Sequence, residues 1–340
     1  MKRSDSAWAR LLLTALLVLG VTLGLRELAP GPRAAADFDG LNRGPEVVIS
    51  VARGATGSQI AQDLFEAGVV KSELSFFRAA VANPRSGSIA PGEHRVETRI
   101  PAKEALAQLL DPERILNLIR VRDGARLVEV TRELEKAGYR GRDIKVALDQ
   151  LKVPDGFETK RIEGFLYPAL YSPTKDDSAQ SMLTKMIDRF EESTSNLDWK
   201  YADFTPHELL IIASLVEAEG TPDVFARVAR VIYNRLEKGM ALQLDATVHY
   251  ALGKRGEITL SLKETKVDSR YNTYRYRGLP PGPIGSPTVA AIKAVLAPIQ
   301  GDWLYYVTVS PGITKFTASY EEFLEFKREY KRNLKAGKFE

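Results

Sequence analysis

Cysteine is absent from the 340-residue sequence, and histidine occurs only three times. The absence of cysteine excludes disulfides, thiolate metal sites, a cysteine nucleophile and a lipid-modified cysteine. The histidines, His94, His207 and His249, lack a metal-binding spacing such as HExxH, so we expect neither a metal nor another cofactor. The net charge of +4 is small for this length and does not indicate nucleic-acid binding.

The N-terminus has an uncharged apolar run at residues 11–25 that follows several basic residues. Extended back across Arg10, the run has about 18 residues, close to the roughly 20 that span a bilayer. Basic residues before the run predict a cytoplasmic N-terminus. A cleaved signal peptide is the alternative, with residues 34–36 as a distant cleavage site. We predict that residues 1–28 form a cytoplasmic N-terminus and transmembrane anchor of a single-pass inner-membrane protein with its remainder in the periplasm.

Residues 47–68 and 118–138 share a strand, a glycine turn and a helix at an offset of 70 residues. A linker rich in Pro, Gly and Ala precedes them at residues 29–46. Two copies of one unit indicate small α/β modules, and we assign residues 47–150 to this region. Chance is the alternative, because such units are common. The matching residues are Gly54, Ala55, Ile60, Leu64, Ala67 and Gly68 in the first copy and Gly124, Ala125, Val130, Leu134, Ala137 and Gly138 in the second.

Residues 151–340 have the pattern of a mainly helical domain. One helix has a well-defined start, because Thr205 can act as N-cap, Pro206 fits the first helical position and Glu208 completes a capping box. Gly220 is expected to end this helix. A hairpin-like strand pair at residues 302–319 and a charged C-terminal helix follow. The predicted fold class of the chain is therefore α+β.

The same helix is apolar nearly all round and yet ends on two carboxylates, Glu217 and Glu219. Such a helix is buried, and desolvation raises the pKa of Glu217. A protonated carboxyl is the group that a glycosidic oxygen needs as general acid. Glu219 is rotated by about 200° and is not expected to line the same side, so we expect it to pair with an arginine or to close the helix end. Solvated or salt-bridged glutamates are the alternative.

Three motifs, at residues 211–220, 228–253 and 271–298, resemble those of the MltG (YceG-like) family of endolytic peptidoglycan transglycosylases. The stretch IEGFLYPALY at residues 162–171 is similar to a further family motif. An N-terminal anchor and a LysM-like α/β module are also family features, so the resemblance covers nearly the whole chain.

The resemblance implies a membrane-anchored lyase that cuts the MurNAc–GlcNAc bond within nascent peptidoglycan strands, next to the peptidoglycan polymerases, and leaves 1,6-anhydro-MurNAc ends. Glu217 falls on the catalytic glutamate, which would protonate the glycosidic oxygen and then accept the proton of the C6 hydroxyl. The residues implied as substrate-binding or supporting are Glu219, Asn234, Gln243, Asp245, Tyr271, Asn272, Thr273 and Tyr274. The chain departs from the family pattern near Asp223, which replaces a glutamate, and at Lys315 and Phe323, where histidines are frequent.

Several of these residues have simpler interpretations. Tyr271 and Tyr274 could pack in the core, and Asp245 could cap a helix, orient Asn234 or bind a sugar hydroxyl. The proline-rich segment at residues 278–287 could shape the cleft without touching substrate. The LysM-like region could bind glycan or act as a spacer.

Two other functions remain open at this point. A muramidase-type hydrolase would need a second carboxylate across the cleft, for which Asp245, Asp268 and Glu163 are the candidates. A glycan-binding scaffold without catalysis would need no acid at all.

Overall fold

The fold is that of a computed structural model, which describes residues 35–255 and 260–339. The chain divides into two compact units. One contains the described residues up to Ala90 and His94–Arg114, and the other contains Pro91–Glu93 and the described residues from Ile115 onwards. The predicted anchor at residues 1–28 lies outside the described residues. Within the described ranges, none of the helices has the length and apolar character needed to cross a membrane.

The first unit contains two paired strands and three helices. Its elements are β1 (Glu46–Val51), α1 (Gly57–Glu66), α2 (Glu73–Val81), β2 (Gly92–Glu97) and α3 (Ala102–Leu109). Strand β1 pairs with β2. Thr56 caps α1, because its hydroxyl accepts a hydrogen bond from the Gln59 amide and the Gln59 side chain accepts one from the Thr56 amide. The predicted strand at residues 47–51 and the helix after it are confirmed.

The second unit begins with the same order of elements. They are β3 (Ile119–Val121), α4 (Leu127–Lys136), α5 (Gly141–Gln150) and β4 (Ala169–Tyr171). Strands β3 and β4 are antiparallel, with Ile119 opposite Tyr171. The turn glycines of the two copies, Gly54 and Gly124, both have positive φ, at 76° and 64°. These positions favour glycine because a side chain would be strained there, which gives a physical reason for the repeated residue. The predicted boundary at residue 150 lies inside this unit.

The rest of the second unit is mainly helical, with one β-hairpin. Its elements are α6 (Ala179–Thr194), α7 (Pro206–Glu219), α8 (Phe225–Glu237), α9 (Asp245–Ala251), α10 (Val289–Leu296), β5 (Tyr305–Ser310), β6 (Ile313–Thr317) and α11 (Tyr320–Lys335). Helix α7 is the centre of the core, and every residue from Leu209 to Val216 is buried. It packs against α8 and α10. The predicted α+β class is confirmed.

The start of α7 follows the sequence signature. Thr205 accepts from the Glu208 amide at 3.3 Å, and Glu208 accepts from the Thr205 amide at 2.9 Å. The reciprocal pair satisfies two amides that have no partner within the helix. On the buried face, the Ser214 hydroxyl accepts from the Ile284 amide at 3.1 Å. This bond fixes the proline-rich segment against α7, so the helix positions both its own C-terminal glutamates and a neighbouring loop.

Candidate active site

A cleft of about 370 Å³ opens at the C-terminal end of α7. This volume falls in the range of ordinary small-ligand sites. Its lining residues are Asp123, Gly124, Arg126, Ser214, Glu217, Ala218, Glu219, Asp245, Ala246, His249, Arg255 and Ile284. The cleft therefore lies between the end of α7, the start of α9 and the glycine turn of the second repeat copy. In the described part of the chain, no group of three or more histidine, aspartate or glutamate side chains is arranged to hold a metal ion.

Glu217 is half-buried at the edge of this cleft. Its Oε2 accepts hydrogen bonds from the Thr288 amide at 2.9 Å and the Thr288 hydroxyl at 2.7 Å. Among the described residues, its Oε1 has no hydrogen-bond partner. Burial raises the pKa of Glu217 above its ordinary value, the bonds from Thr288 oppose that shift, and the nearby charge of Asp123 adds to it. The direction matches the one predicted from the apolar helix, so the carboxyl is suited to donate a proton.

Glu219 lines the same cleft, so the expectation that it lies on another side was wrong. Residues 217–219 form the last turn of α7, and the cleft lies across the end of the helix, where both side chains reach it. The partners of Glu219 are the Tyr306 hydroxyl at 2.8 Å and the Ala246 amide at 3.4 Å. Burial raises the pKa of Glu219. With both oxygens bonded and no ion pair to a described arginine, Glu219 supports the start of α9.

Asp245 is the first residue of α9 and follows the N-cap position, which Leu244 occupies. Its carboxylate accepts a hydrogen bond from the Tyr274 hydroxyl. Burial, and next this bond, raise the pKa of Tyr274. The interpretation that Asp245 orients Asn234 is wrong, because the Asn234 amide bonds elsewhere. Asp245 is exposed in the cleft, which leaves it accessible to a substrate hydroxyl.

Asn234 and Arg235 hold the chain before β5. The Asn234 amide donates to the carbonyl oxygens of Gly301 at 3.1 Å and Trp303 at 2.9 Å. Arg235 donates to the carbonyl oxygen of Leu304 at 2.7 Å. Both side chains are buried, at 7% exposure each, and neither lines the cleft. They support the hairpin that carries Tyr306 and have no access to substrate there.

We expect Asn234→Ala to lower the free energy of unfolding by about 1–3 kcal/mol, because two carbonyl groups lose their donor in a buried place. The measurement is urea unfolding of the variant beside Asn196→Ala, which changes an exposed asparagine. Equal urea midpoints of unfolding for the two variants would contradict the proposal that Asn234 stabilises the chain before β5.

Two further predicted residues, Asn272 and Thr273, are buried in the loop after residue 270. Thr273 is buried, accepts from the Leu244 amide at 3.0 Å and bonds the Thr247 hydroxyl at 2.9 Å. Asn272 is fully buried, and its amide donates to the carbonyls of Thr265 and Val267 at 3.0 and 2.8 Å. Because both donors of the Asn272 amide are already used, this amide has none left for a sugar hydroxyl.

Tyr271 and Gln243 also lie outside the set of described residues that line the cleft. The Tyr271 hydroxyl accepts from Arg161 at 2.8 Å, and its ring lies 4.7 Å from that of Tyr250. Packing is thus the better interpretation of Tyr271. Gln243 is exposed, has a positive φ of 48° and donates its backbone amide to Thr273 at 3.1 Å.

The three candidates for a second carboxylate differ in their position relative to the cleft. Glu163 accepts from the Leu127 amide at 2.8 Å and the Tyr250 hydroxyl at 2.9 Å, and it lies away from the lining. Asp268 is exposed and bonds Tyr276 at 2.7 Å. Only Asp245 of the three predicted candidates lines the cleft, and the carboxylate that sequence reasoning missed is Asp123.

Hydrogen bonds to other parts of the chain fix the turn that carries Asp123. The Gly124 amide donates to the Ser286 carbonyl at 2.9 Å, and the Ser286 amide donates to the Ala125 carbonyl at 2.8 Å. Arg126, at 8% exposure, donates to the Lys254 carbonyl at 2.8 Å. Arg255 donates to the Gly124 carbonyl at 3.0 Å. The signal for these residues was present in the repeat, where the second copy has charged residues around its turn glycine.

The three residues that depart from the family pattern each contact a neighbouring side chain. Lys315 pairs with Glu329 at 2.8 Å, and the Phe323 ring stacks on Tyr305 at 4.9 Å. Asp223 is exposed and accepts from the Thr221 hydroxyl. None of the three lines the cleft around Glu217.

Residues 49–329 match the model of the YceG-like family. The chain is 31% identical over 306 residues to the endolytic murein transglycosylase of Bacillus subtilis (strain 168), covering 84% of each protein. It is 36% identical over 184 residues to the protein of the same name from Streptococcus pneumoniae serotype 2, covering 52% of this chain and 33% of that one. A crystal structure of a YceG-like protein from Listeria monocytogenes superposes with a TM-score of 0.56 at 24% identity, covering 83% of this chain and 99% of the other.

Proposed function

The chain belongs to the YceG-like family, and from this membership and the Glu217 cleft we propose that it is a lytic transglycosylase that cuts the MurNAc–GlcNAc β-1,4 bond inside nascent peptidoglycan strands. The names of the curated relatives support a murein substrate and an endolytic, lyase-type enzyme. The observation that carries the proposal is the carboxyl of Glu217, which has one oxygen fixed by Thr288 and the other free at the cleft.

One carboxyl group serves both steps of this reaction. Glu217 donates its proton to the glycosidic oxygen as the bond to the muramoyl C1 breaks. The C6 hydroxyl of the same sugar then attacks C1, and Glu217 takes the hydroxyl proton. The C1–O6 bond replaces the glycosidic bond, the acid is restored, and water is not consumed. Thr288 holds Oε2 throughout, so that Oε1 stays aimed at the leaving oxygen.

The cleft is also suited to the charge that develops on the sugar. Glycoside cleavage passes through an oxocarbenium-like state, and negative groups fixed nearby stabilise it. Asp123 and Asp245 line the cleft beside Glu217. The same two carboxylates support the second candidate function, a hydrolase in which one of them activates water.

The raised pKa of Glu217 has a consequence for the pH dependence. The acid form is active, so cleavage is expected to fall as the pH rises through the pKa of Glu217. Asp123→Asn removes a like charge, lowers that pKa and should move the alkaline limb of kcat/KM to lower pH. Asp149→Asn, which changes an exposed aspartate on α5, is the control. An alkaline limb that stays in place in Asp123→Asn would contradict the electrostatic role.

The position of cleavage tests the proposed enzyme. We would incubate the chain from about residue 40 with uncrosslinked strands of known length and measure the product lengths. Cleavage inside strands gives intermediate lengths at early times, whereas cleavage from an end releases disaccharides. Binding without turnover would instead indicate a scaffold.

We further propose that residues 1–28 anchor the protein in the inner membrane, with the cleft in the periplasm close to the polymerases. The uncharged run after Arg10 supports the anchor. The strand–helix–helix–strand order, which occurs twice, supports LysM-like modules. Loss of membrane association after deletion of residues 1–28 is the expected result.

A further inference from the structure

A second cavity, of about 270 Å³, adjoins the cleft on the second repeat copy. It is formed by β3, the turn after it and α4. Asp123 and Arg255 line both this cavity and the cleft, so the two cavities are neighbours that meet at these residues. Five of its lining residues are basic, and we call them the basic groove: Arg120, Arg122, Arg132, Lys136 and Arg255.

Part of this charge is neutralised within the groove and part is not. Lys136 pairs with Glu133 at 2.6 Å, and Arg255 pairs with Glu129 at 3.0 Å. Arg122 and Arg132 are exposed and form no ion pair with any residue in the described ranges. Two guanidinium groups are therefore available to an anion, and the fork of donors on arginine matches a carboxylate.

The first repeat copy provides an internal comparison. At an offset of 70 residues, the basic residues of the second copy correspond to residues without positive charge in the first. Arg120, Arg122, Arg126, Arg132 and Lys136 correspond to Ser50, Ala52, Thr56, Gln62 and Glu66. The first copy forms the same strand, turn and helix, so the fold does not need these charges. Thr56 caps its helix with a side-chain hydrogen bond. Arg126 occupies the same position in the second copy and makes no such bond.

We propose that the basic groove is a subsite for the carboxylates of the peptide attached to the muramic acid beside the cleaved bond. This inference rests on the proposed function. The sugars of the strand are uncharged, and the peptide on the lactyl group supplies the anionic groups. The groove adjoins the cleft at Asp123, near Glu217, so a muramoyl residue in the cleft can direct its peptide towards the groove.

The experiment compares the activity of two proteins on each of two substrates. Wild type and the double variant Arg122→Gln/Arg132→Gln are assayed on peptide-bearing strands and on strands from which an amidase has removed the peptides. The lactyl carboxyl that the amidase frees is converted to its methyl amide, so that the second substrate carries no anion at that position. Wild type should have the higher kcat/KM on peptide-bearing strands, mainly through KM. The double variant should lose about three- to tenfold on these strands only, as expected for two partly exposed charge contacts. The control Arg142→Gln/Lys145→Gln removes the same charge from α5 and should keep the preference.

Two other outcomes would overturn the inference. Equal kcat/KM of wild type on both substrates would show that the peptide is not recognised, while cleavage itself would still support the transglycosylase. An equal loss on both substrates would mean that the groove binds the glycan or affects the fold. Binding of peptide-bearing strands, measured in a Glu217→Gln background without turnover, separates a failure of the subsite from a failure of the proposed function.

Discussion

Replacing Glu217 with glutamine is expected to reduce strand cleavage by at least about 10²- to 10⁴-fold, the usual contribution of a general acid and base. Glutamine has no acidic proton to give to the glycosidic oxygen and cannot take one from the C6 hydroxyl. Its amide oxygen can still accept both hydrogen bonds from Thr288, so the fold and strand binding should persist. Initial cleavage rates and binding on the same uncrosslinked strands give the measurement.

Two matched variants make this result specific. Glu237→Gln changes an exposed glutamate at the end of α8 and should leave the rate unchanged. Glu219→Gln keeps one acceptor oxygen for the Ala246 amide, and its NH2 group can donate to the Tyr306 hydroxyl, so it should lower the rate much less than Glu217→Gln. If Glu219→Gln abolished cleavage and Glu217→Gln did not, Glu219 would be the general acid and Glu217 the supporting residue.

The second large effect is expected from Gly285→Ala, a change at a residue that has no titratable side chain. A Cβ at Gly285 would lie 2.4 Å from the carbonyl oxygen of Gly124, which is closer than atoms can approach. The glycine turn must then move away from Ser286 and carry Asp123 out of the cleft. A displacement of about 1 Å in a catalytic site can cost about 10²-fold in rate, and we expect a loss of that order. Overpacking should also lower stability by about 1–3 kcal/mol.

Gly57→Ala is the matched control, because nothing lies within 4 Å of a Cβ at that position. It should leave cleavage unchanged. Assays well below the unfolding transition of each variant separate misplacement from unfolding. Full activity of a folded Gly285→Ala protein would contradict the view that the second repeat copy forms a wall of the active site.

Sequence reasoning succeeded where the controlling interactions are local. The start of α7 was predictable, because Thr205, Pro206 and Glu208 lie within one turn and satisfy each other's backbone groups. The raised pKa of Glu217 was also predictable, because the apolar residues that desolvate it precede it on the same helix. The repeat could be found because its glycines occupy backbone conformations that other residues rarely adopt.

It failed where a partner from elsewhere in the chain decides the role of a side chain. The Asn272 amide resembles a substrate-binding group in the sequence, but carbonyl groups of residues 265 and 267 occupy its donors. Glu219 reaches the cleft because the cleft lies across the helix end, and helical periodicity contains no such information. Asp123 comes to Glu217 through backbone pairing of its turn with residue 286. The charged residues around the turn glycine mark the turn in the sequence, but they do not indicate this distant partner.

The fate of water tests the central claim most directly. We would let wild-type protein cleave uncrosslinked strands in ¹⁸O-labelled water and determine the masses of the new ends. Intramolecular attack by the C6 hydroxyl predicts anhydro-muramoyl ends that contain no ¹⁸O. Reducing ends that carry one ¹⁸O each would contradict the account, show that the enzyme is a hydrolase, and direct attention to Asp123 or Asp245 as the base that activates water.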